Sequence, residues 1–467
     1  DRSAILLEGT EISAGGVSVT SDVPIHLMAL PGEGRCEIRA VRAAEVALKG
    51  LSDVRVNGGP AAASDGSVRL DLSRGTHEVT FAALGTGPLQ VAMRTDDGRP
   101  GKLEPKANRL DSVDDSVLST YWEADLVDSI RCIDTSGGET AIGAVGGAVV
   151  RFGEDGAITY RHETGAAVRA VHLAQVDGSG ERVLLAGGDD CAVTMLDGKG
   201  EVRWRREFIR SHYRDSHVNA VTTADLTGDG ETEVLVATDG WLVWALTAEG
   251  EEVWHRQIRH HAARSLVVDD VEGDGKLEVL VGTEYHSSNM LEADREIRWS
   301  VGGGPSFTAL AIADLNGDGV KEAFYGAMDG NVHAIDAASG EVLWRANLGD
   351  DVRFGQVLET EAGRCFLAGS DSGNVALVSG EGEKVWRRDL GEAVTGIAVL
   401  HGTDGGEDTI AAGTVDGRIV LISASGDVLG MQQTDSGITA MASADLGDQS
   451  GLIIGMDNGT LRALALK

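Results

Sequence analysis

Short apolar runs separated by turn residues fill this chain from its start to its end. Up to about residue 95 the runs alternate apolar and polar positions, as in "SVRLDLSRGTHEVTFAAL" and "LQVAMRT". A period of two with turn residues between the runs indicates antiparallel strands. We therefore predict a β-sandwich for residues 1–96, with carbohydrate binding or docking as its role. The polar residues 97–116 are predicted to form a linker.

From residue 117 to 467 the pattern repeats. Segments such as "ADLTGDGETEVLVATDGWLVWALTAEGEEVWHRQI" and "ADLNGDGVKEAFYGAMDGNVHAIDAASGEVLWRANLG" each hold four short strands, here called A to D. The inner strands A are predicted to begin 38 to 50 residues apart, at Ser129, Ala167, His217, Ala262, Ser306, Asp351, Ala393 and Gly437. Four-stranded units of this length are propeller blades, so we predict an all-β chain in which an eight-bladed β-propeller follows the sandwich.

The last repeat lacks a fourth strand, and "STYWEADL" around Trp122 matches the tryptophan-bearing D strands. We predict that this segment completes the last blade and closes the ring, which leaves no free edge between first and last blade. Equivalent D-strand tryptophans are predicted to pack between blades: Trp122, Trp204, Trp254, Trp299, Trp344 and Trp386. "HAIDAASGEVLWRANLG" resembles the tryptophan-docking motif of PQQ-like and FG-GAP-type eight-bladed propellers. The resemblance implies that fold but not the PQQ cofactor, because the chain has no adjacent-cysteine pair.

Composition narrows the classes of partner. The chain carries 74 Asp and Glu against 40 Lys and Arg, a formal net charge of -34, which argues against nucleic acid as a partner. No apolar run is long enough to span a membrane. The chain begins at Asp1 without Met or a signal sequence, which reads as a trimmed, secreted or periplasmic form. Nothing in the sequence indicates the oligomeric state.

Three of the A–B turns resemble calcium loops. They read "DLTGDGETE", "DVEGDGKLE" and "DLNGDGVKE", with carboxylates at alternating positions, a glycine turn and a trailing Glu. The candidate structural Ca²⁺ ligands are Asp225, Thr227, Asp229, Glu233, Asp270, Asp274, Glu278, Asp314, Asn316, Asp318 and Glu322. The alternative is an Asx turn, in which the Asp side chain accepts backbone N–H groups and no ion is needed.

The repeat breaks down on the opposite face. The stretch from Trp204 to His217 spans thirteen residues where most blades use seven, and the insertion holds "REFIRSHYRDSH". The next D–A loop brings His260 and His261, and the following B–C turn reads "GTEYHSSNM" instead of an Asp-Gly turn. One blade earlier the B–C turn carries Trp241, aligned with Asn331 of the fifth blade. Because loops on a rigid scaffold carry function, we predict the functional site beside blades 3 and 4.

A second signal lies in the inner strands. Counted from the predicted strand starts, the third residues line one level of the central channel: Arg131, Arg169, Asn219, Arg264, Thr308, Arg353, Thr395 and Thr439. Four arginines at equivalent positions in an acidic chain suggest an anion site, since arginine matches carboxylate and sulfate geometry. The alternative is that each arginine pairs with a neighbouring acid or carbonyl group.

A cationic funnel flanked by His, Tyr and Trp suits an acidic sugar chain, and for uronate polymers the accessible reaction is β-elimination. That reaction needs a carboxylate neutraliser, a base and an acid. The candidate catalytic residues are His212, Tyr213, His217, His261, Tyr285 and His286, and the candidate substrate-binding residues are Arg131, Arg169, Arg214, Trp241, Arg264, Glu284 and Arg353. This set resembles that of the propeller polysaccharide lyases (rhamnogalacturonan, oligogalacturonide and ulvan lyases), which implies a lyase acting on an anionic polysaccharide.

Three alternatives stay open. A glycoside hydrolase would need two carboxylates, for which Asp215 and Glu284 are the candidates. A Zn²⁺ site could draw on His212, His217, His260, His261 and His286, although the sequence has no HxH or HExxH motif. The third alternative is a non-catalytic propeller scaffold that binds polysaccharide or protein.

Overall fold

The computed structural model is all-β, as predicted. It describes the strands between residues 5 and 93, and residues 117–466 except 127, 209–213, 259–260, 306, 350, 361–362, 403–406 and 448; the side chains of 286, 303–305, 307–308 and most of the strands before 93 are not described. The described residues contain no helix, and hence none that is long and apolar enough to cross a membrane.

The strands of the first unit join through antiparallel pairing into one connected ten-stranded sheet, in the order β6-β5-β9-β3-β2-β4-β8-β7, with β1 on β2 and β10 on β1. The strands are β1 (Ile5–Ala14), β2 (Val17–Leu30), β3 (Arg35–Ala40), β4 (Ala44–Lys49), β5 (Leu51–Val56), β6 (Gly59–Pro60), β7 (Ala63–Ser64), β8 (Ser67–Leu72), β9 (Gly75–Ala83) and β10 (Val91–Met93). The long strand β2 pairs with β3 near its end and with β4 near its start. The two-layer packing of a β-sandwich depends on side chains that are not described, so the sandwich stays a prediction. The predicted linker also lies outside the described residues and stays a prediction.

Eight four-stranded antiparallel sheets follow, and these are the predicted blades. Blades 1 to 4 are β12 (Ile130–Ser136), β13 (Glu139–Ala144), β14 (Ala148–Phe152), β15 (Ile158–Glu163); β16 (Val168–Ala174), β17 (Val183–Gly188), β18 (Ala192–Leu196), β19 (Val202–Glu207); β20 (Val218–Ala224), β21 (Glu233–Thr238), β22 (Leu242–Leu246), β23 (Glu252–Gln257); and β24 (Ala263–Asp269), β25 (Glu278–Thr283), β26 (Tyr285–Leu291), β27 (Ile297–Pro305).

Blades 5 to 8 continue the same order, with β11 taken from before blade 1. They are β28 (Phe307–Ala313), β29 (Glu322–Ala327), β30 (Asn331–Asp336), β31 (Val342–Asn347); β32 (Val352–Thr360), β33 (Gly363–Ser370), β34 (Asn374–Ser379), β35 (Lys384–Asp389); β36 (Val394–Leu400), β37 (Thr409–Thr414), β38 (Arg418–Ser423), β39 (Val428–Gln433); and β40 (Ile438–Leu446), β41 (Gln449–Met456), β42 (Thr460–Leu466), β11 (Leu118–Asp125).

Ring closure is confirmed. Strand β11 pairs antiparallel with β42, and Trp122 lies opposite Ala463 in that ladder. Blade 8 therefore takes three strands from the end of the chain and one from the segment before blade 1. This arrangement ties the two ends of the propeller together and removes the edges that an open ring of blades would expose.

Every inner strand begins one residue after its predicted start, and every one carries a β-bulge at its second residue. In the A–B ladder of blade 2, for example, pairing passes from Val168 to Ala170 and skips Arg169. The skipped residues are the eight predicted channel residues, Arg131, Arg169, Asn219, Arg264, Thr308, Arg353, Thr395 and Thr439. The eight residues therefore share one backbone position, and a bulge re-aims the side chain at the position that it occupies.

The apolar core lies between neighbouring blades. Strands B and C are buried along their whole length in blade 3 (β21 and β22), because the blades on either side cover both faces of the sheet. One cluster of buried side chains joins Leu185 and Met195 of blade 2 to Val236 and Trp244 of blade 3. Strands covered on both faces read as continuous apolar runs rather than alternating ones.

D-strand tryptophans connect a blade to the next one, as predicted, in blades 2, 3, 4 and 6. The indole N–H of Trp204 donates to the carbonyl oxygen of Ala248 at 2.8 Å, and its ring lies against Gly250 of the same C–D turn. Trp254, Trp299 and Trp386 make the corresponding bonds to Ala293, Ala337 and Ala424 at 2.8–2.9 Å. Glycine gives the Trp204 ring room at this turn, since a Cβ on Gly250 would lie 2.7 Å from the ring.

Candidate functional site

The D–A loops and the B–C turns share one face of the propeller, here called the loop face. The first residue of a B–C turn donates its backbone N–H to the carbonyl of the residue just before the inner strand, as Asp239 does to His217 at 2.9 Å. The third residue accepts a bond from the end of strand D, as Trp241 does from Ile258 at 2.8 Å. The A–B turns, with the calcium-like sequences, lie at the opposite end of strand A.

We call the first residue of the B–C turn the rim position, since it lies beside the bulged residue of the inner strand. In chain order the rim residues are Val145, Asp189, Asp239, Glu284, Met328, Asp371, Val415 and Asp457. The backbone bond that defines the position recurs in every blade except blade 5, whose acceptor would be residue 306, outside the described residues. Five of the eight blades thus place an acid at the rim, and three place an apolar side chain there.

Trp241 does not align with Asn331, as the sequence suggested, but with Gly330. Both residues are the third of their turn, and each accepts a backbone bond from the end of its own strand D. The Asp-Gly pair is misleading because Asp239 and Gly240 are the first two residues of their turn, whereas Asp329 and Gly330 are the second and third of theirs. Gly147, Gly373, Gly417 and Gly459 occupy this place in other blades, all with positive φ.

Two blades put a side chain at this left-handed position: Trp241 with φ 67° and Cys191 with φ 57°. In regular blades the D–A loop closes on the turn, and a Cβ on Gly373 would lie 2.7 Å from the carbonyl oxygen of Glu392. The D–A loops that follow these two blades are the ones in which the sequence departs from the repeat. The irregular B–C turns and the irregular D–A loops therefore occur in the same blades. Non-glycine residues with positive φ are often found at functional sites.

An alternating chain of charge crosses blades 2, 3 and 4 on the loop face. Arg169 pairs through Nε with Asp189 of its own blade, and through Nη1 with Oδ2 of Asp239 in blade 3 at 3.0 Å. Arg264 of blade 4 reaches Oδ1 of Asp239 at 3.3 Å and Glu284 at 3.1 Å. Glu284 also pairs with Arg214 of the inserted loop. The three carboxylates balance the three guanidinium groups.

Asn219 and His217 complete this cluster from the inner strand of blade 3 and the residue before it. The Asn219 amide donates to Asp239 at 2.8 Å and its oxygen accepts from Arg169 at 2.8 Å. His217 Nδ1 lies 3.2 Å from Oδ2 of Asp239 and 3.2 Å from Nη2 of Arg169. Burial would raise the pKa of the Asp239 carboxyl, yet the Asn219 hydrogen bond and the two guanidinium charges together hold this pKa below its usual range.

The predicted arginine ring is therefore largely a set of ion pairs. Arg169, Arg264 and Arg353 each pair with the rim acid of their own blade, Arg353 with Asp371 at 2.7 Å. Arg131 is exposed and has no such acid, because its rim residue is Val145. Thr439 bonds the carbonyl oxygens of Ile130 and Gly455. Three of the four arginines thus pair with a neighbouring acid, which is the alternative to an anion site.

The predicted catalytic residues are placed unevenly. His217 belongs to the charged cluster, and Tyr285 follows Glu284 as an exposed side chain whose ring centroid lies 5.9 Å from that of His261. His212, Tyr213, His260 and the side chain of His286 lie outside the described residues. The two candidate carboxylates of a glycoside hydrolase differ in their surroundings. Glu284 is bound by Arg214, Arg264 and the N–H of Ala262, whereas Asp215 is exposed.

Sequence reasoning missed two polar groups. Asp189 and Asp239 were not predicted as site residues, although acids recur at the rim beside arginines. Asp134, His172 and Thr223 also bridge the inner strands of blades 1 to 3, with His172 Nδ1 3.1 Å from Asp134 and Nε2 3.1 Å from Thr223. No repeat pattern marked this second group, because Asp134 and His172 share the fifth place of their inner strands but differ in type, and Thr223 is the sixth residue of its strand.

On the opposite face, the calcium-like turns have the geometry of Asx turns. Asp225 accepts the backbone N–H groups of Gly228 at 2.8 Å, Asp229 at 3.1 Å and Gly230 at 2.9 Å, and Glu233 accepts that of Leu226 at 2.8 Å. Asp270 and Asp314 repeat the pattern. Within the described part of the chain, no three His, Cys, Asp or Glu side chains are arranged to hold a metal ion. Calcium binding stays a prediction.

The buried glutamates of these turns differ in their surroundings. Burial raises the pKa of Glu322 from 4.5 to about 7, with a contribution from Asp318 and Asp314. Burial also raises the pKa of Glu278, but Arg298 lies 3.2 Å from Glu278 and supplies a cation. Blade 4 therefore has a positive charge of its own beside this glutamate. In blade 5 the amide of Asn316 lies beside Glu322 instead.

Fold and site together define an eight-bladed β-propeller with a polar, irregular loop face. A family model described as outer membrane protein assembly factor BamB matches residues 289–458, which is less than half of the chain. No curated protein matches.

Solved structures with the same fold include three that differ widely in origin. The computationally designed Ika8 protein is 16% identical, covering 73% of this chain and 98% of its own, with a TM-score of 0.57. BamB from Moraxella catarrhalis is 15% identical, covering 75% and 100%, with a TM-score of 0.57. Saccharomyces cerevisiae Sqt1 is 12% identical, covering 76% and 100%, with a TM-score of 0.61. Identities this low establish the fold alone.

Proposed function

We propose that this protein is a non-catalytic binding propeller that holds a protein partner on its loop face. The observation that carries the proposal is the exposure of the apolar rim residues: Val145 is 48%, Met328 47% and Val415 50% exposed. Other blades place Asp or Glu at the same position, so the fold does not require an apolar residue there. Single apolar side chains that are exposed among charged residues of one face fit the mixed apolar and polar character of a protein-docking surface.

The charged cluster of blades 2 to 4 supports binding better than catalysis. A β-elimination site needs a cation that is free to neutralise the substrate carboxylate, whereas Arg169, Arg264 and Arg214 are each already paired with a carboxylate. Paired charges next to apolar side chains provide specificity at protein interfaces. The assembly role named in the description of the matching family model is compatible with such a binding role.

The test uses a photo-crosslinking amino acid placed at Val145, Met328 or Val415 in the native host. The same amino acid at Val253 on a D strand or Val320 in an A–B turn is the matched control, since both are 42% exposed and lie off the loop face. We expect one discrete protein adduct from the loop-face positions and none from the controls. Equal labelling of both sets, or no adduct from any position, would reject the proposal.

A lyase acting on an anionic, uronate-containing polysaccharide is the second candidate. It is favoured by His217, which Asp239 orients at 3.2 Å, and by the exposed phenol of Tyr285 beside Glu284. The test is the ultraviolet absorbance of the unsaturated product on a panel of uronate polysaccharides. A gain that is lost in both His217→Gln and Tyr285→Phe would establish the lyase. More reducing ends without absorbance would indicate hydrolysis.

A further inference from the structure

Arginine and acid follow a rule around the channel mouth. Where the bulged residue is an arginine in blades 2, 4 and 6, the rim residue of the same blade is Asp189, Glu284 or Asp371, and the two are paired. Where the rim residue is apolar in blades 5 and 7, the bulged residue is an uncharged threonine. The bulge and the turn thus bring two opposite charges together in blades 2, 4 and 6, and neither of the two positions holds a charged residue in blades 5 and 7.

Blade 1 breaks the rule. Its bulged residue is Arg131, but its rim residue is Val145. Arg131 is exposed and makes no salt bridge within the part of the chain that the structure describes. Of the rim acids in the two neighbouring blades, Asp189 of blade 2 is engaged by Arg169 and Asp457 of blade 8 accepts a hydrogen bond from Ser436. A guanidinium in a chain of net charge -34 is therefore held at the channel mouth beside an exposed valine, without the acid that its equivalents have.

We propose that Arg131 is the anchor for a carboxylate of the protein partner, and that Val145 contacts an apolar side chain next to that carboxylate. This inference rests on the proposed binding function and names the chemistry of the bound segment: an acidic residue adjacent to an apolar one. The partner's carboxylate takes the place that Asp189, Glu284 and Asp371 take in the other arginine blades. Arginine suits this role because it binds carboxylates through two parallel N–H donors.

The substitution Val145→Asp tests whether Arg131 is available because blade 1 lacks a rim acid. It restores the rim acid found in five blades, so Arg131 gains an internal partner and is no longer available to a ligand. Val145→Asn is the matched control, since it removes the apolar side chain without adding charge. Arg131→Gln removes the anchor itself. Arg364→Gln makes the same change at an exposed arginine that pairs with Glu359 at the A–B turn of blade 6, on the other face.

The probe is a fluorescein-labelled, acetylated octapeptide of alternating leucine and glutamate, titrated by fluorescence anisotropy. Lysine-for-glutamate and serine-for-leucine versions are its controls. We expect Arg131→Gln and Val145→Asp to weaken binding by about tenfold or more, which is the usual effect of losing a charge-assisted bond. Val145→Asn should weaken it less than Val145→Asp, and Arg364→Gln should match the wild type. All variants should keep the wild-type melting temperature.

Three outcomes would overturn the anchor. They are no binding of the Leu–Glu peptide, equal binding of the lysine version, and wild-type affinity in Arg131→Gln. If polygalacturonate binds in an Arg131-dependent manner and the peptide does not, the carboxylate belongs to a polysaccharide and the inference is wrong. Crosslinks from Met328 and Val415 that persist in Arg131→Gln would leave the proposed function standing without the anchor.

Discussion

Arg169 in the inner strand of blade 2 donates from Nη1 to Oδ2 of Asp239 in the B–C turn of blade 3, at 3.0 Å. This bond crosses the boundary between two blades. From the other side Arg264 of blade 4 lies 3.3 Å from Oδ1 of the same carboxylate. One side chain, 14% exposed, thus links three consecutive blades on the loop face.

Removing Asp239 should be costly. Asp239→Ala leaves Arg169 and Arg264 without one of their partners in a poorly hydrated site, and we expect a loss of ~3 kcal/mol in the free energy of unfolding. Glu359→Ala is the control, since its ion pair with Arg364 is solvent-exposed and worth under about 1 kcal/mol. Denaturant unfolding of both variants measures the difference, and equal losses would contradict the linking role of Asp239.

The third residue of the B–C turn, which has positive φ, can be tested by two opposite substitutions. Cys191→Gly should change stability by less than ~1 kcal/mol, because the strain relieved at φ 57° offsets the entropy that glycine adds to the unfolded chain. Gly373→Cys should cost ~2 kcal/mol or more, since its Cβ would meet the carbonyl oxygen of Glu392 at 2.7 Å. Melting curves would decide, and equal effects would show that the D–A loops do not determine which residue fits.

Glu322 should make stability depend on pH in metal-free buffer. Its pKa is raised from 4.5 to about 7 in the folded state, so the folded state binds the proton more tightly than the unfolded chain. The resulting stabilisation is fully present below about pH 4.5 and is lost as the pH rises to about 7. Glu322→Gln should remove a pH-dependent part of ~3 kcal/mol, measured as the difference between the two pH–stability curves. Parallel curves for wild type and variant would refute this.

Stabilisation by Ca²⁺ should have the opposite dependence on pH. An ion in the blade 5 turn needs Glu322 ionised, so Ca²⁺ should raise the melting temperature more at pH 8 than at pH 5. Glu322→Gln should lose this gain, whereas Glu278→Gln should keep most of it, because Arg298 already lies beside Glu278. Calorimetry in EDTA and in excess Ca²⁺ provides the measurement. Identical melting temperatures in the two buffers would leave the Asx turn as the sole role of these residues.

Much of the fold could be predicted because its determinants are local. The spacing of apolar runs and glycine turns determined the number of blades, and the D-strand tryptophans revealed both the docking of blade on blade and the closure by the segment around Trp122. Each of these signals is repeated many times, so an error in one blade is corrected by the others. The place of Trp241 was wrong by one residue because its turn occurs in a blade where the local sequence departs from the repeat.

The sequence by itself determined that four arginines share one structural position and that the loops beside blades 3 and 4 are irregular. Only the tertiary structure decided that three of these arginines pair with the rim acid of their own blade and that Arg131 forms no salt bridge with any described residue. The physical reason is that each pairing depends on a bulge and a turn that are separated along the chain and meet on the loop face. Charges so placed interact through distances of about 3 Å, which no linear pattern of residues specifies.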